Sequence, residues 1–148
     1  MKIFIASDHA GYELKQQVIK DISNDKFFLN NHLIDLGPST ADSVDYPDYA
    51  NLVCDKLKNN NADFGILICG SGQGMALRAN KFSHIRAALV YNDEITELSR
   101  SHNNCNVICI GARFCSLENA KNWINIFLKT SFSEGRHVQR VEKINQPT

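Results

Sequence analysis

The sequence lacks an excess of charge of either sign. Its 16 lysines and arginines are balanced by 16 aspartates and glutamates, so the net charge is zero when the histidines are neutral. Proteins that bind nucleic acid or anionic membranes usually present a broad positive field. We therefore expect neither of these partners, and any anion site must be a local cluster of cations.

Long apolar runs are also missing. The N-terminal run, residues 3–7, ends at Asp8 and His9 and is too short for a signal-peptide core or a membrane span. Without an export signal, the chain is expected in the cytoplasm. The five cysteines would then be reduced thiols.

The cysteines contain no C-x-x-C pair, which argues against a zinc knuckle or a thioredoxin-type redox motif. Most free cysteines are buried as small apolar side chains. Cys69 differs from the others because it ends a predicted strand and precedes a glycine-rich segment.

Short apolar segments alternate with segments of helical period along the whole chain. Five runs that are apolar on both faces are predicted strands: 2–7, 33–36, 65–69, 87–91 and 106–110. Four segments with an apolar stripe are predicted helices: 11–23, 47–58, 93–102 and 116–129, the last capped by its serine. This alternation predicts one domain, residues 1–148, with a doubly wound, Rossmann-like three-layer α/β fold. We expect about five parallel strands and a C-terminal helical tail.

Ligands of open α/β sheets bind at the carboxyl ends of the strands. The first predicted strand is followed by Asp8 and His9, just before a predicted helix. Asp8 can cap that helix or hold a ligand. His9, beside a helix N-terminus, can be an ordinary loop residue or hold a phosphate.

The third predicted strand ends at Cys69 and is followed by Gly70, Gly72 and Gly74. These glycines let backbone amides approach a ligand and face developing negative charge, and free amides at a helix start favour a thiolate. Such a loop can stabilise an enediolate while the thiolate moves a proton between neighbouring carbons. The alternative is a phosphate or dinucleotide loop with Cys69 merely buried. The spacing is not G-x-G-x-x-G, although Asp93 lies about 20 residues further on, where a ribose-binding acid is expected.

Cations and an imidazole occur near other predicted element ends. His102 lies on the inward stripe of its helix, so it is either a core histidine or an imidazole that moves the proton opening a sugar ring. Arg136 and Arg140 share a helix face and can grip a phosphate or form a solvated stripe. Arg113 follows the fifth strand at the ligand edge. The other histidines are expected to be solvent-facing or structural: His32, His84 and His137.

Taken together, eight segments resemble the type B ribose-5-phosphate isomerase family, which also includes galactose-6-phosphate isomerase subunits. The matching segments, in order, are 7–11, 45–47, 68–74, 79–81, 85–88, 98–103, 111–113 and 135–137. The resemblance implies an aldose–ketose isomerase that interconverts ribose 5-phosphate and ribulose 5-phosphate in the non-oxidative pentose phosphate pathway, without metal or cofactor. A six-carbon sugar phosphate, allose 6-phosphate or galactose 6-phosphate, is the alternative substrate.

The resemblance also implies roles for individual residues. Cys69 would be the base that moves the proton from C2 to C1, because Met75 stands where some members carry a glutamate base. The anion hole would consist of Ser71 and the amides of Gly70, Gly72 and Gly74. His102 and Asp8 would open the ring, with Tyr46 and Asn103 lining the pocket. The phosphate clamp would consist of His9, Arg113, Arg136 and Arg140.

Members of this family are dimers or dimers of dimers with the site at the subunit interface. The resemblance thus implies a homo-oligomer in which the partner supplies His102, Asn103 and Arg113. Two other classes stay open from the residues alone. One is a zinc-dependent hydrolase with the ligands Asp8, His9, Cys69 and His102. The other is a non-catalytic module that binds a sugar phosphate or a nucleotide.

Overall fold

The computed structural model describes residues 1–22, 25–58 and 63–146. The strands are β1 (Lys2–Ser7), β2 (His32–Asp35), β3 (Phe64–Cys69), β4 (Ala87–Val90) and β5 (Val107–Gly111). The helices are α1 (Tyr12–Ile22), α2 (Lys26–Leu29), α3 (Tyr46–Lys58), α4 (Gln73–Ala79), α5 (Asp93–Ser101), α6 (Leu117–Lys129) and α7 (Arg136–Ile144). Among the described residues, no helix is long and apolar enough to cross a membrane.

The five strands form one parallel sheet in the order β2-β1-β3-β5-β4. All strands therefore end at the same edge, which we call the carboxyl edge, and begin at the opposite, amino edge. At the carboxyl edge Ser7 pairs with Ile68, and Cys69 pairs with Gly111. The predicted α/β fold with five parallel strands is confirmed.

Helices cover the sheet on both faces. One apolar core lies between the sheet and helices α1, α5 and α6, and includes Val18, Trp123 and Phe127. The other lies between the sheet and helices α3 and α4, and includes Val53 and Met75. Because both faces of the central strands are buried, β3 and β5 consist of nearly continuous apolar residues.

The helix ends follow ordinary capping chemistry. The side chain of Asn92 accepts a hydrogen bond from the Ile95 amide at the start of α5. Ser116 caps α6 as predicted, since its Oγ accepts from the Asn119 amide over 3.1 Å. These caps fix where α5 and α6 begin at the carboxyl edge, so both helices run back to the amino edge.

The predicted C-terminal tail is helix α7, which lies at the amino edge. The backbone amide of Ser133, just before α7, donates to the carbonyl of Ser101 at the end of α5. At the other end of α7, Arg86 Nη1 donates to Asn145 Oδ1 over 3.0 Å. Helix α7 is thus attached beside the starts of β4 and β5.

Most predicted bounds agree with the structure to within one residue. Two short elements were not predicted, helix α2 and a single 3-10 turn, Ala112–Phe114. For helix α4 only a start after the glycine-rich segment was predicted, without bounds. Residues 59–61, a polar run that predicts a loop between the helix at 47–58 and the strand at 65–69, lie outside the described residues. The last residue of the helix predicted at 11–23 does so as well.

Candidate active site

Cys69 is the last residue of β3 and lies at the carboxyl edge. Its Sγ accepts a hydrogen bond from the backbone amide of Gly72 over 3.1 Å. Cys69 is 4% exposed, whereas Cys54 and Cys109 are fully buried. Cys69 is therefore a buried thiol that lies at the end of its strand and is held by a backbone donor.

Glycines permit this loop to fold over the strand end. Gly72 has φ +76° and is the N-cap of α4. A Cβ at this position would lie 2.6 Å from Leu89 Cδ1 and 3.0 Å from the amide nitrogen of Gly111. At Gly74 a Cβ would lie 2.6 Å from Cζ of Tyr46, so glycine lets the Tyr46 ring pack on the first turn of α4. Glycine at these two positions thus permits the close packing of the loop on Leu89, Gly111 and Tyr46.

Ser71 and Arg113 border the same loop. Ser71 is exposed, and its Oγ accepts from the Gln73 amide over a long 3.4 Å. The Arg113 amide donates to the carbonyl of Gly70, and a Cβ on Gly70 would lie 3.2 Å from the Arg113 guanidinium carbon. The structure thus places Arg113 on the loop of its own chain, in contrast to the expectation that a partner supplies it. The 3-10 turn after β5 directs it there.

Asp8 and His9 lie next to this loop, after β1. The Asp8 amide donates to the carbonyl of Ile68, and its Oδ1 accepts from the Gly11 amide over 2.9 Å. Asp8 therefore stabilises the start of α1, one of its two predicted roles. His9 is exposed, with Nδ1 3.3 Å from both the amide nitrogen and the carbonyl oxygen of Val44.

His102 and His137 form a second cluster, at the amino edge. His102 is the half-buried C-cap of α5, and its ring stacks on that of His137 with centroids 4.1 Å apart and planes at 13°. Burial lowers the pKa of His137, and the charges of His102, Arg136 and Arg140 lower it further. No function is assigned to His137 from the sequence. Nothing in its position on the C-terminal helix, directly before Val138, predicts that its ring stacks on His102.

The remaining predicted residues lie on the same side as His102. Arg136 and Arg140 are exposed on α7, and Asn103 is exposed in the turn after α5. Arg86 holds this turn, since its guanidinium donates to the carbonyls of Asn103 and Asn104 at 2.8–3.1 Å. Burial lowers the pKa of Arg86. Arg86 lies in the matching segment 85–88, but no role is assigned to it from the sequence. In the structure it holds the turn that carries Asn103.

The predicted site residues thus fall into two groups within one chain. The carboxyl-edge group contains Asp8, His9, Tyr46, Cys69, Gly70, Ser71, Gly72, Gly74 and Arg113. The amino-edge group contains His102, Asn103, Arg136 and Arg140. Strand β5 separates the two edges, and its five residues span about 16 Å. One chain does not bring the two groups into a single site.

The other thiols are poor candidates for proton transfer. Burial raises the pKa of Cys54 to about 12 and that of Cys105 to about 11. Burial also raises the pKa of Cys109 well above its ordinary value, and that of Cys115. These thiols therefore stay protonated at neutral pH, which leaves Cys69 as the candidate base.

The four residues of the zinc-hydrolase hypothesis do not converge. Asp8, His9 and Cys69 lie at the carboxyl edge and His102 at the amino edge. Across the described ranges, no group of three or more His, Cys, Asp or Glu side chains is arranged to hold a metal ion.

Comparison with known proteins gives concordant results. Residues 3–144 match the model of a family described as Ribose/Galactose Isomerase. A probable ribose-5-phosphate isomerase B from Mycoplasma genitalium is 43% identical over 144 residues, covering 96% of this chain and 92% of that protein. The ribose-5-phosphate isomerase B of Escherichia coli is 38% identical, covering 97% and 93%.

Solved structures of the same kind superpose closely on this chain. A ribose 5-phosphate isomerase from Thermotoga maritima has a TM-score of 0.91 at 43% identity, covering 97% of both chains. The ribose-5-phosphate isomerase B from Mycoplasma genitalium, solved with bound ribulose-5-phosphate, has a TM-score of 0.89 at 41% identity, covering 97% of this chain and 93% of that one.

Proposed function

Because this chain belongs to the ribose/galactose isomerase family, we propose that it interconverts ribose 5-phosphate and ribulose 5-phosphate. The observation that carries the proposal is the thiol of Cys69, which accepts a hydrogen bond from the Gly72 amide within a glycine-rich loop. The relatives named ribose-5-phosphate isomerase B, one of them solved with ribulose-5-phosphate, indicate the substrate.

The reaction moves one hydrogen between two carbons through an enediolate. The Cys69 thiolate removes the proton from C2 of the open-chain aldose, and the electron pair left on C2 forms the C1–C2 double bond. The C1 carbonyl then becomes an enediolate oxygen. After a proton passes from O2 to O1, the thiol returns its proton to C1, O2 becomes the ketone oxygen, and the thiolate is restored. No bond to the protein forms.

The loop supplies the electrostatic stabilisation of this intermediate. Ser71 and the amides of Gly70 and Gly74 would donate to the enediolate oxygen, whereas the Gly72 amide, expected in the same anion hole, donates to Cys69 Sγ. One well-placed donor of this kind contributes roughly 3 kcal/mol to transition-state stabilisation. Asp8 and Tyr46 lie beside the loop and would hold the sugar hydroxyls.

The complete site requires a second copy of the chain. The amino-edge group lies about 16 Å from Cys69 along the sheet, at the far end of β5. We propose a homodimer, alone or as part of a dimer of dimers, in which the partner's amino-edge group faces the carboxyl-edge group. The two-fold symmetry of such a dimer would then build two equal sites.

An apolar surface beside Ser71 suits this arrangement. Tyr91 and Phe114 are 63% and 76% exposed, and they line a cavity with Ser71 and Gln73. Large exposed apolar patches usually mark protein interfaces. In the proposed dimer the partner covers these rings and brings its His102 to open the sugar ring and its Arg136 and Arg140 to the phosphate.

We place the enzyme, as a single-domain protein without metal or cofactor, in the cytoplasm and in the non-oxidative pentose phosphate pathway. Allose 6-phosphate and galactose 6-phosphate remain alternative substrates, because the family description includes galactose isomerases.

The decisive assay follows ribose 5-phosphate in D₂O with protein freed of metal by a chelator. We expect ribulose 5-phosphate carrying deuterium at C1, because the enediolate exchanges its proton with solvent through Cys69. Absence of ketose would reject the isomerase and favour a non-catalytic binding module. Activity that returns only with added zinc would favour the metal-dependent alternative. Parallel assays with allose 6-phosphate and galactose 6-phosphate rank the substrates.

A further inference from the structure

A fully buried lysine, Lys15, lies in the first turn of α1 beside the carboxyl-edge group. Its Nζ donates to both carboxylate oxygens of Asp35 over 2.7 and 2.8 Å. It also donates to the carbonyl of Pro38 over 2.9 Å. Burying an ammonium group is costly unless acceptors surround it. The position of Lys15 therefore depends on both Asp35 and Pro38, and their positions depend on Lys15.

Asp35 ends β2, and Pro38 lies in the connection between β2 and α3, residues 36–45, which we call the β2–α3 loop. Tyr12, also in the first turn of α1, donates its hydroxyl proton to the carbonyl of Ser39 over 3.1 Å. The first part of the loop is thus tied to α1 at two points, Pro38 and Ser39.

The other end of the loop carries residues of the carboxyl-edge group. Val44 lies with its backbone amide and carbonyl 3.3 Å from Nδ1 of His9. Tyr46, the first residue of α3, packs its ring on Gly74 next to Cys69. The course of the loop therefore decides where the His9 imidazole and the Tyr46 ring lie relative to the thiol.

The loop contacts α3 at its start, where Gly37 lies against the Tyr49 ring, and borders an open space further along. A cavity of about 970 Å³ lies between them. Its lining includes Pro38, Ser43, Val44, Asp45, Asp48 and Asn51. The start of the loop is held by backbone hydrogen bonds of Leu36 and Gly37 to β1. The next residues, Pro38 and Ser39, are held by Lys15 and Tyr12 of α1.

We propose that Lys15 is a positioning residue for substrate binding, which fixes the β2–α3 loop so that His9 and Tyr46 face the ligand held at Cys69. This inference rests on the proposed function of the site. Lys15 itself is buried and contacts no substrate; it acts through the loop.

Three variants test the role of Lys15 at a temperature well below unfolding. Lys15→Met removes the ammonium, and Tyr12→Phe removes the second contact without leaving a buried charge. Lys20→Met is the matched control, since Lys20 is exposed on the same helix. We expect the KM for ribose 5-phosphate to rise about tenfold in Lys15→Met, which loses three hydrogen bonds, and about threefold in Tyr12→Phe, which loses one. The kcat should stay within about threefold, and Lys20→Met should match the wild type.

The split between KM and kcat separates positioning from mere stability. Partial unfolding lowers the apparent kcat and leaves KM unchanged, so unchanged KM values in Lys15→Met and Tyr12→Phe would overturn the inference. If Lys15→Met does not fold, the KM of Tyr12→Phe decides alone.

A second readout does not depend on turnover. The ring NMR signals of His9 should shift in Lys15→Met or Tyr12→Phe and stay in place in Lys20→Met. If the wild type makes no ketose, the isomerase proposal fails, but this shift still tests the positioning role. Unmoved His9 signals in both variants would refute it.

Discussion

The backbone amide of Gly72 donates a hydrogen bond to Sγ of Cys69 over 3.1 Å, across the turn that joins β3 to α4. A donated hydrogen bond stabilises a thiolate more than a neutral thiol. The turn has this shape because Gly72 adopts φ +76°, which side chains with a Cβ rarely allow. The chemistry of the site thus depends on a backbone conformation that one glycine makes possible.

Gly72→Ala should impair both folding and activity. The new Cβ would be strained at positive φ and would meet Leu89 Cδ1 at 2.6 Å, so the amide must move away from the Cys69 thiol. We expect a loss of about 2 kcal/mol in the free energy of unfolding, measured by urea titration. The kcat should fall about a hundredfold.

Gly135→Ala is the control for backbone strain alone. Gly135 has φ +56°, and a Cβ there would meet no atom within 4 Å. Gly135→Ala should therefore lower kcat less than Gly72→Ala does. Equal losses of kcat in both variants would show that contact with Leu89 and displacement of the Gly72 amide do not matter for activity.

The order of apolar and polar residues along the chain was enough to predict which polar residues lie at the carboxyl edge of the sheet. Parallel strands buried on both faces must be apolar runs, so β1 was located without error, and the polar residues after β1, β3 and β5 had to share one edge. Sequence could not reveal that His102 stacks on His137, because that contact depends on how the chain turns between α6 and α7. It also gave no sign that Arg113 lies on Gly70 of its own chain, since a 3-10 turn without an apolar stripe directs it there.

Mixing two inactive variants tests the site shared between subunits. Cys69→Ala and His102→Gln chains, co-expressed with different tags, should form heterodimers with one intact site, because Cys69 and His102 lie at opposite edges of each chain. Random association makes about half of the dimers mixed, with one working site of two, and so restores about a quarter of wild-type kcat. A mixture as inactive as its parents would contradict a site that combines Cys69 of one chain with His102 of the other.

Arg140→Ala should weaken substrate binding with little effect on the chemical step. A guanidinium–phosphate hydrogen bond contributes about 1.5–3 kcal/mol, so the KM for ribose 5-phosphate should rise roughly ten- to a hundredfold. The control is Lys143→Ala, which removes a positive charge from the same exposed helix. Equal rises in KM for both variants would indicate a general effect of charge, and an unchanged KM in Arg140→Ala would remove Arg140 from the clamp.

The stability of the protein should depend on pH through His137. Its folded-state pKa is lowered by burial and by His102, Arg136 and Arg140, whereas in the unfolded chain it is about 6.5. Above the unfolded-state pKa, His137 is neutral in both the folded and the unfolded chain, so it causes no loss of stability. As the pH falls through about 6.5 toward the folded-state pKa, the unfolded chain takes up the proton first, so stability is lost.

Thermal unfolding of the wild type and His137→Asn between pH 7.5 and 5.5 checks this sign. As the pH decreases, the Tm of the wild type should fall more steeply than the Tm of His137→Asn. The wild-type Tm minus the variant Tm should therefore become smaller. A difference that grows or stays constant toward pH 5.5 would disagree with a lowered pKa of His137.

The most direct test of the account compares Cys69→Ala with Cys115→Ala, which removes a half-buried thiol near the same edge. Removal of the base should lower the kcat of Cys69→Ala at least about a thousandfold and abolish deuterium exchange at C2, while the Kd for ribose 5-phosphate stays within about threefold of the wild type. Cys115→Ala should keep wild-type activity. A Cys69→Ala protein that retains kcat within tenfold of the wild type, or that still exchanges the C2 hydrogen, would contradict the central role of this thiol.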